Sequence, residues 1–199
     1  MQRADVIVVG AGAAGLMCAI EAGRRGRSVL VLEHNASIGE KIRISGGGRC
    51  NFTNTETQPE NFISENPSFA KSALARYRPE DFLQLVERHH IRWHEKKAGQ
   101  LFCDGSSREI LTMLRKECEN AGVTIVAGCR VASVERGFAL ATNLGDFECA
   151  SLVIATGGLS IPKLGATDFG YRMAKQFGLR VTALRPGLVP LLFDEPVVV

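Results

Sequence analysis

ADVIVVGAGAAGLMCAIEAGRRGRSVLVLE, residues Ala4 to Glu33, sets the reading of the whole chain. Ala4–Val9 is a short β-branched run and reads as a buried strand. Gly10-Ala11-Gly12-Ala13-Ala14-Gly15 follows it directly. It opens a segment, Ala13–Arg25, whose apolar residues Leu16, Met17, Ala19 and Ile20 fall at helical spacing. Gly26 then punctuates, and Ser28–Leu32 reads as a second buried strand that ends in Glu33. Strand, Gly-rich turn, helix and strand within about 30 residues make a βαβ unit.

In that setting the glycines have separate jobs. Gly10 permits the tight turn, Gly12 lets the backbone approach a pyrophosphate, and Gly15 with Ala19 lets the helix pack closely on the sheet. The helix N-terminus presents free N–H groups and a partial positive charge to phosphate. Ala11, Ala13 and Ala14 keep the turn small. Glu33 stands 18 residues beyond Gly15 (33 − 15), where a carboxylate accepts both ribose hydroxyls of an adenosine and repels a 2′-phosphate. The pattern is a dinucleotide site, and it is not built for NADP.

The fingerprint alone does not divide FAD from NAD. Two further segments favour FAD. In Gly39–Asn51, Lys41 and Arg49 can neutralise charge, while Ser45-Gly46-Gly47-Gly48 brings backbone against a flat ring or a phosphate. Cys50 and Asn51 complete that block. The second segment is Val153-Ile154-Ala155-Thr156-Gly157-Gly158, a strand ending in small residues at the carboxyl edge of a sheet.

Composition narrows the remaining choices. Charged residues make up 23% and apolar residues 45% of the 199, an ordinary globular balance. The net charge of +3, with bases and acids interleaved, gives no argument for nucleic acid. Arg24, Arg25 and Arg27 cluster where a helix C-terminus is expected, which explains them. Cys18, Cys50, Cys103, Cys118, Cys129 and Cys149 contain no CxxC spacing, so zinc and redox dithiols are not indicated and reduced thiols of a cytoplasmic protein are. No run approaches 18 apolar residues, so no membrane span is expected. His90 and His94 have the i, i+4 spacing of a metal pair, but Ile91 and Trp93 between them look strand-like, and no third ligand is evident. No metal is expected. Cys50 is a candidate for a place near a flavin ring, with a structural role preferred for want of a resolving thiol. Asp104 with Ser106 and Ser107 reads as helix capping rather than as a nucleophile site.

Beyond Glu33 the chain reads as a long irregular stretch, Asn35 to about Pro67. Helices are expected at Ser68–Tyr77, Pro79–His89 and Ser106–Ala121, the last with a capping box of Ser106 and Glu109. A strand is expected at Val123–Ala127, then an antiparallel meander over Arg130–Cys149. A buried strand at Leu152–Ala155 and a helix at Asp168–Phe177 follow.

Together, Gly10–Gly15 with Glu33, ISGGGRCNFTN (Ile44–Asn54), VIATGGLS (Val153–Ser160) and GLVPL (Gly187–Leu191) resemble a bacterial family of NAD(P)/FAD-dependent oxidoreductases. These are aminoacetone-oxidase-like or 3-dehydro-bile-acid Δ4,6-reductase-like flavoproteins. The resemblance implies an α/β fold: an FAD-binding, Rossmann-like domain of the glutathione-reductase type, with a parallel sheet and an antiparallel β-meander crossover. It implies FAD as cofactor, with hydride or electron transfer on a small molecule. NAD(P)H stands as a candidate reductant, and catalytic residues are not assigned. It also implies a backbone contact of Val131 with adenine. Many members carry Pro where this chain has Cys103. Members continue beyond Val199, so residues 1–185 are expected to form an incomplete FAD-binding domain. Residues 186–199 are then the start of a second, largely β domain, and the apolar tail is an edge open to self-association. An NAD-linked Rossmann dehydrogenase and a non-catalytic nucleotide-binding remnant are the alternatives.

Overall fold

The structure, a computed structural model, describes residues 1–187. Strand β1 (Gln2–Val9), helix α1 (Ala13–Arg24) and strand β2 (Val29–Glu33) form the βαβ unit, with Val6–Val9 paired in parallel to Val29–Leu32. The main sheet is completed by β6 (Thr124–Ala127), β7 (Val131–Val134), β8 (Ala139–Thr142) and β9 (Gly145–Ile154). Its order is β6-β2-β1-β9-β8-β7. The first four strands run parallel, and β8 and β7 are antiparallel. This is the expected α/β architecture, a parallel sheet with a meander crossover.

One long strand stands where two were expected. The meander's last strand and the strand over Leu152–Ala155 are both β9, which pairs antiparallel with β8 near Phe147 and parallel with β1 as far as Ile154. Ala150 and Ser151 contain no breaker, so the extended chain runs through them. Leu152, Val153 and Ile154 are half-buried rather than buried.

Strand alternation splits the core in two. Val8 and Val31 face one side, where they pack with Leu16 and Ile20 of α1, Leu85 and Val86 of α4 (Pro79–Arg88), and Ile110, Met113 and Leu114 of α5 (Ser107–Asn120). Ile7, Val9 and Leu32 face the other, against Val134, Leu140 and Phe147 of the meander and Phe169 and Met173 of α6 (Phe169–Gln176). The Cys129 amide donates to the Glu33 carbonyl at 2.8 Å, which ties the start of the meander to the end of β2. The capping box of α5 forms as expected: Ser106 Oγ accepts from the Arg108 amide, and Glu109 accepts from the Ser106 amide at 3.0 Å.

The stretch expected to be irregular is not. It contains α2 (Glu40–Ile44), a 3-10 turn at Ser45–Gly48, β3 (Asn51–Asn54) and a second 3-10 turn at Pro59–Asn61. Strand β3 exists because β5 (Gln100–Cys103) pairs with it from nearly fifty residues away, and β4 (Trp93–Glu95) pairs with the far side of β5. A local reading does not reveal such a partner. Helix α3 (Lys71–Arg76) is shorter than expected.

Among the described residues, no group of three or more His, Cys, Asp or Glu could hold a metal ion. None of their helices is long and apolar enough to cross a membrane. The expected second domain and apolar edge lie, apart from Pro186 and Gly187, outside the described residues, as does most of the GLVPL segment.

Candidate functional site

The site begins at the turn between β1 and α1. Gly10 has φ +108, and a Cβ there would lie 2.6 Å from the Ala155 carbonyl oxygen. A Cβ on Gly15 would collide with the Gly10 carbonyl oxygen. These two glycines let the turn press against the end of β9. Gly12 differs. Its φ is −84, it serves as N-cap of α1 with no side-chain cap, and a Cβ there would meet nothing within 4 Å. So protein packing does not require glycine at position 12, and the space beside it opens on solvent. Leu16 N–H donates to the Gly12 carbonyl as the first helical bond, leaving the earlier N–H groups of α1 free for an anion.

A cleft of about 260 Å³ lies over this helix end. Its walls include Gly10, Gly12, Ala13 and Ala14 from the turn, Glu33 from β2, Lys41 from α2, and Ala155, Thr156 and Gly157 after β9. An adjoining cleft, also about 260 Å³, runs past Cys129, Arg130 and Val131 to Phe169 and Arg172. The two share His34 and Thr156.

Glu33 lines the first of them and is only 6% exposed. Oε2 accepts from the Ala11 amide at 2.8 Å and Oε1 from the Asn35 amide at 2.9 Å. Each oxygen keeps a lone pair for a further donor. His34 Nδ1 lies 3.6 Å from Glu33 Oε1, while its buried Nε2 has no hydrogen-bond partner among the described residues. Gly165 packs over this buried atom, since a Cβ there would collide with it. Lys41 Nζ donates to Ser160 Oγ at 2.9 Å and to the Gly158 carbonyl at 3.3 Å, so the cation is held at the cleft wall by the segment after β9.

The structure therefore gathers Gly10, Gly12, Ala13, Ala14, Glu33, Lys41, Ala155, Thr156 and Gly157 around one cleft, with Ala11 and Gly15 buried behind it and Val131 in the next. It does not bring Ser45, Gly46, Gly47, Gly48, Arg49, Cys50 or Asn51 to either cleft wall. They follow α2. Gly46, Gly47 and Gly48 all have positive φ, +58, +66 and +85, and build a defined turn closed by the Cys50 amide on the Ser45 carbonyl. A Cβ would meet nothing within 4 Å at Gly47 or Gly48, but at Gly46 it would lie 2.7 Å from the Phe102 ring.

Cys50 is buried, and burial raises its thiol pKa. Burial, with the neighbouring Cys50, pushes the Cys103 thiol up to about 12. Both behave as packing groups rather than nucleophiles. Sequence reasoning missed His34, Asn35, and Leu164, Gly165 and Ala166, which cross over the cleft. Gly165 has φ +83, and a Cβ there would strike His34 and Asn35. A glycine before the α6 cap was the available signal.

The family model described as HI0933-like protein Rossmann domain matches residues 4–191. The chain is 52% identical to the ribosomal RNA dihydrouridine synthase of Escherichia coli (strain K12), over 98% of this chain and 50% of that protein. It is 28% identical to the 3-dehydro-bile acid delta(4,6)-reductase of Clostridium scindens, over 92% of this chain and 46% of that protein. The chain thus spans about half the length of the curated relatives it matches. Among solved structures, the 3-ketosteroid-delta4-(5alpha)-dehydrogenase of Rhodococcus jostii RHA1 superposes with a TM-score of 0.59 at 19% identity, over 79% of this chain and 46% of that one, a likeness of fold. With the family model covering nearly its whole length and the glycine turn, buried acid and meander in place, the chain belongs to the HI0933-like family, whose Rossmann domain residues 4–191 match.

Proposed function

We propose that this chain is the FAD-binding part of a flavin-dependent reductase that converts uridine to dihydrouridine in ribosomal RNA. The observation that carries the cofactor is the pairing of the open, uncapped N-terminus of α1 at Gly12 with the buried Glu33 carboxylate at the end of β2. The helix end suits the pyrophosphate, Glu33 the adenosine ribose, and the cleft past Val131 the adenine. Lys41 and the backbone from Ala155 to Gly157 line the way toward the flavin ring. Bound flavin would supply hydride transfer, while the chain's residues bind and orient it. NAD(P)H is the proposed reductant.

The substrate rests on the Escherichia coli relative, whose name states dihydrouridine synthesis on ribosomal RNA. The bile-acid relative's name states a reductase acting on a different molecule, which fits a shared reduction chemistry with divergent substrates. This reading departs from the small-molecule substrate and the absence of nucleic acid expected from net charge, because a whole-chain charge does not report how basic residues group on one face. It carries the cytoplasm with it as the compartment, in keeping with six free cysteines.

The test is genetic and analytical. Ribosomal RNA from the source organism, with and without the encoding gene, is digested to nucleosides and measured by mass spectrometry. Dihydrouridine is expected to disappear on deletion and return with the wild-type gene but not with Gly12→Val. Unchanged dihydrouridine after deletion contradicts the substrate assignment.

A further inference from the structure

The small sheet β3-β5-β4 carries a face that neither cleft uses. The register sets Asn51 and His94 on either side of Phe102, in one row across three strands. The His94 ring lies nearly parallel to Phe102, 16° apart with centroids 6.1 Å away. His94 Nδ1 donates to Asp104 Oδ1 at 2.7 Å, which fixes the ring's plane. Lys96, just past the end of β4, places Nζ 5.5 Å from the centre of the Phe102 ring. The His94 side chain remains 40% exposed, so a flat, pre-set ring faces solvent.

Charge around this row is mixed with cations in excess, Arg49, Arg92, Lys96 and Lys97 against Glu95 and Asp104. Arg49 and Arg92 flank the end of β5, their carbonyls accepting from the Cys103 and Asp104 amides, each at 2.9 Å. Arg49, Arg92, Lys96 and Lys97 are exposed and form no ion pair among the described residues, while Asp104 accepts the His94 hydrogen bond and Glu95 accepts the Gly99 amide at 3.2 Å. The row also adjoins the glycine turn, since Gly46 abuts the Phe102 ring.

We propose that this face binds single-stranded RNA, with one base stacked on the outer side of His94 and phosphates running over Arg49, Arg92 and Lys96. The proposal rests on the ribosomal RNA reading and names where that substrate meets the chain. The chemistry is that of single-strand recognition generally: a planar side chain gives each base a stacking surface, and flanking cations track the backbone. Asp104 contributes by holding the platform in place before RNA arrives, which lowers the entropy lost on binding.

The probe is a fluorescently labelled oligouridylate of roughly ten nucleotides, a length within the usual single-strand footprint. Its binding to the whole flavin-free chain is followed by anisotropy at several salt concentrations. His94→Ala is expected to weaken binding about 5-fold or more, the lower end of a lost stacking contact, and His94→Phe to restore it. Lys96→Gln is expected to flatten the logarithmic salt slope by roughly 0.7, one phosphate contact. Lys175→Gln on α6 is expected to change neither. If wild type binds and His94→Ala binds equally well, the RNA lies elsewhere: the platform is wrong while the ribosomal RNA reading stands. If wild type shows no binding, the RNA-binding face is overturned, while the ribosomal RNA reading is decided separately by the dihydrouridine content of the deletion strain.

Discussion

The Glu33 carboxylate accepts the Ala11 amide at 2.8 Å, so the acid at the end of β2 holds the glycine turn in shape from behind while its free lone pairs face the cleft. The residue expected to recognise ribose is thus also a structural element of the loop that recognises phosphate. Glu33→Ala leaves the buried Ala11 amide unpaired, at a cost of about 1–3 kcal/mol, and the half-buried Asn35 amide at a smaller one. Thermal unfolding of the flavin-free variant should show that loss. FAD should bind roughly 10- to 150-fold more weakly. Unchanged stability and unchanged affinity would remove Glu33 from both roles.

Gly12 and Gly15 should separate binding from folding. A Cβ at Gly12 has open space, so Gly12→Val should melt close to wild type and purify colourless. Gly15→Ala places a methyl group against the Gly10 carbonyl and should unfold or aggregate whether or not FAD is present. Melting curves of both variants, with and without FAD, read the difference directly.

The glycine turn after α2 should show a similar split. Gly46→Ala forces a methyl group against Phe102 and adds a strained left-handed backbone. Gly48→Ala pays only the backbone term, about 1–2 kcal/mol. If the open side of the turn meets the flavin, Gly48→Ala will also release FAD more readily than its small stability loss explains. Proteolysis near Arg43 or Arg49 should slow when FAD is added, and equal cleavage rates would place the turn away from the cofactor.

Glu117 gives a pH signature. Burial alone would raise its pKa, but the hydrogen bond from His89 and the charge of Arg24 outweigh that and hold it below the usual glutamate value. A depressed folded-state pKa contributes stability that is present above the unfolded value, near 4.5, and is lost as pH falls through the folded value. The melting-temperature advantage of wild type over Glu117→Gln should therefore hold at pH above that value and shrink below it. An advantage that grows in acid would reverse the sign of this argument.

Much of this was legible in the residues because the signals are local. The β-branched run before Gly10, the helical spacing after it and the acid ending the second run lie within one βαβ unit, and the capping box of α5 spans four residues. What escaped is non-local. Strand β3 is made by its pairing with β5, so the Gly- and Asn-rich segment looked irregular when read alone. His34 and Gly165 are 131 residues apart (165 − 34) yet meet at the cleft, and no spacing rule joins them. In sequence the Ser45–Asn51 block reads as a cofactor contact, against a flat ring or a phosphate, because glycines suit both a ligand and a tight turn. In the structure the left-handed φ values of Gly46 to Gly48 meet the needs of the turn, and only the open faces of Gly47 and Gly48 leave room for a ligand.

The most direct measurement is a fluorescence titration of FAD into the purified flavin-free 199-residue chain, run beside Gly12→Val. Wild type is expected to bind saturably and one to one, competed by ADP because the adenosine and pyrophosphate carry most of the contacts, and Gly12→Val is expected not to bind. Failure of wild type to bind, or equal binding by Gly12→Val, would contradict the placement of FAD in the cleft between the α1 N-terminus and Glu33.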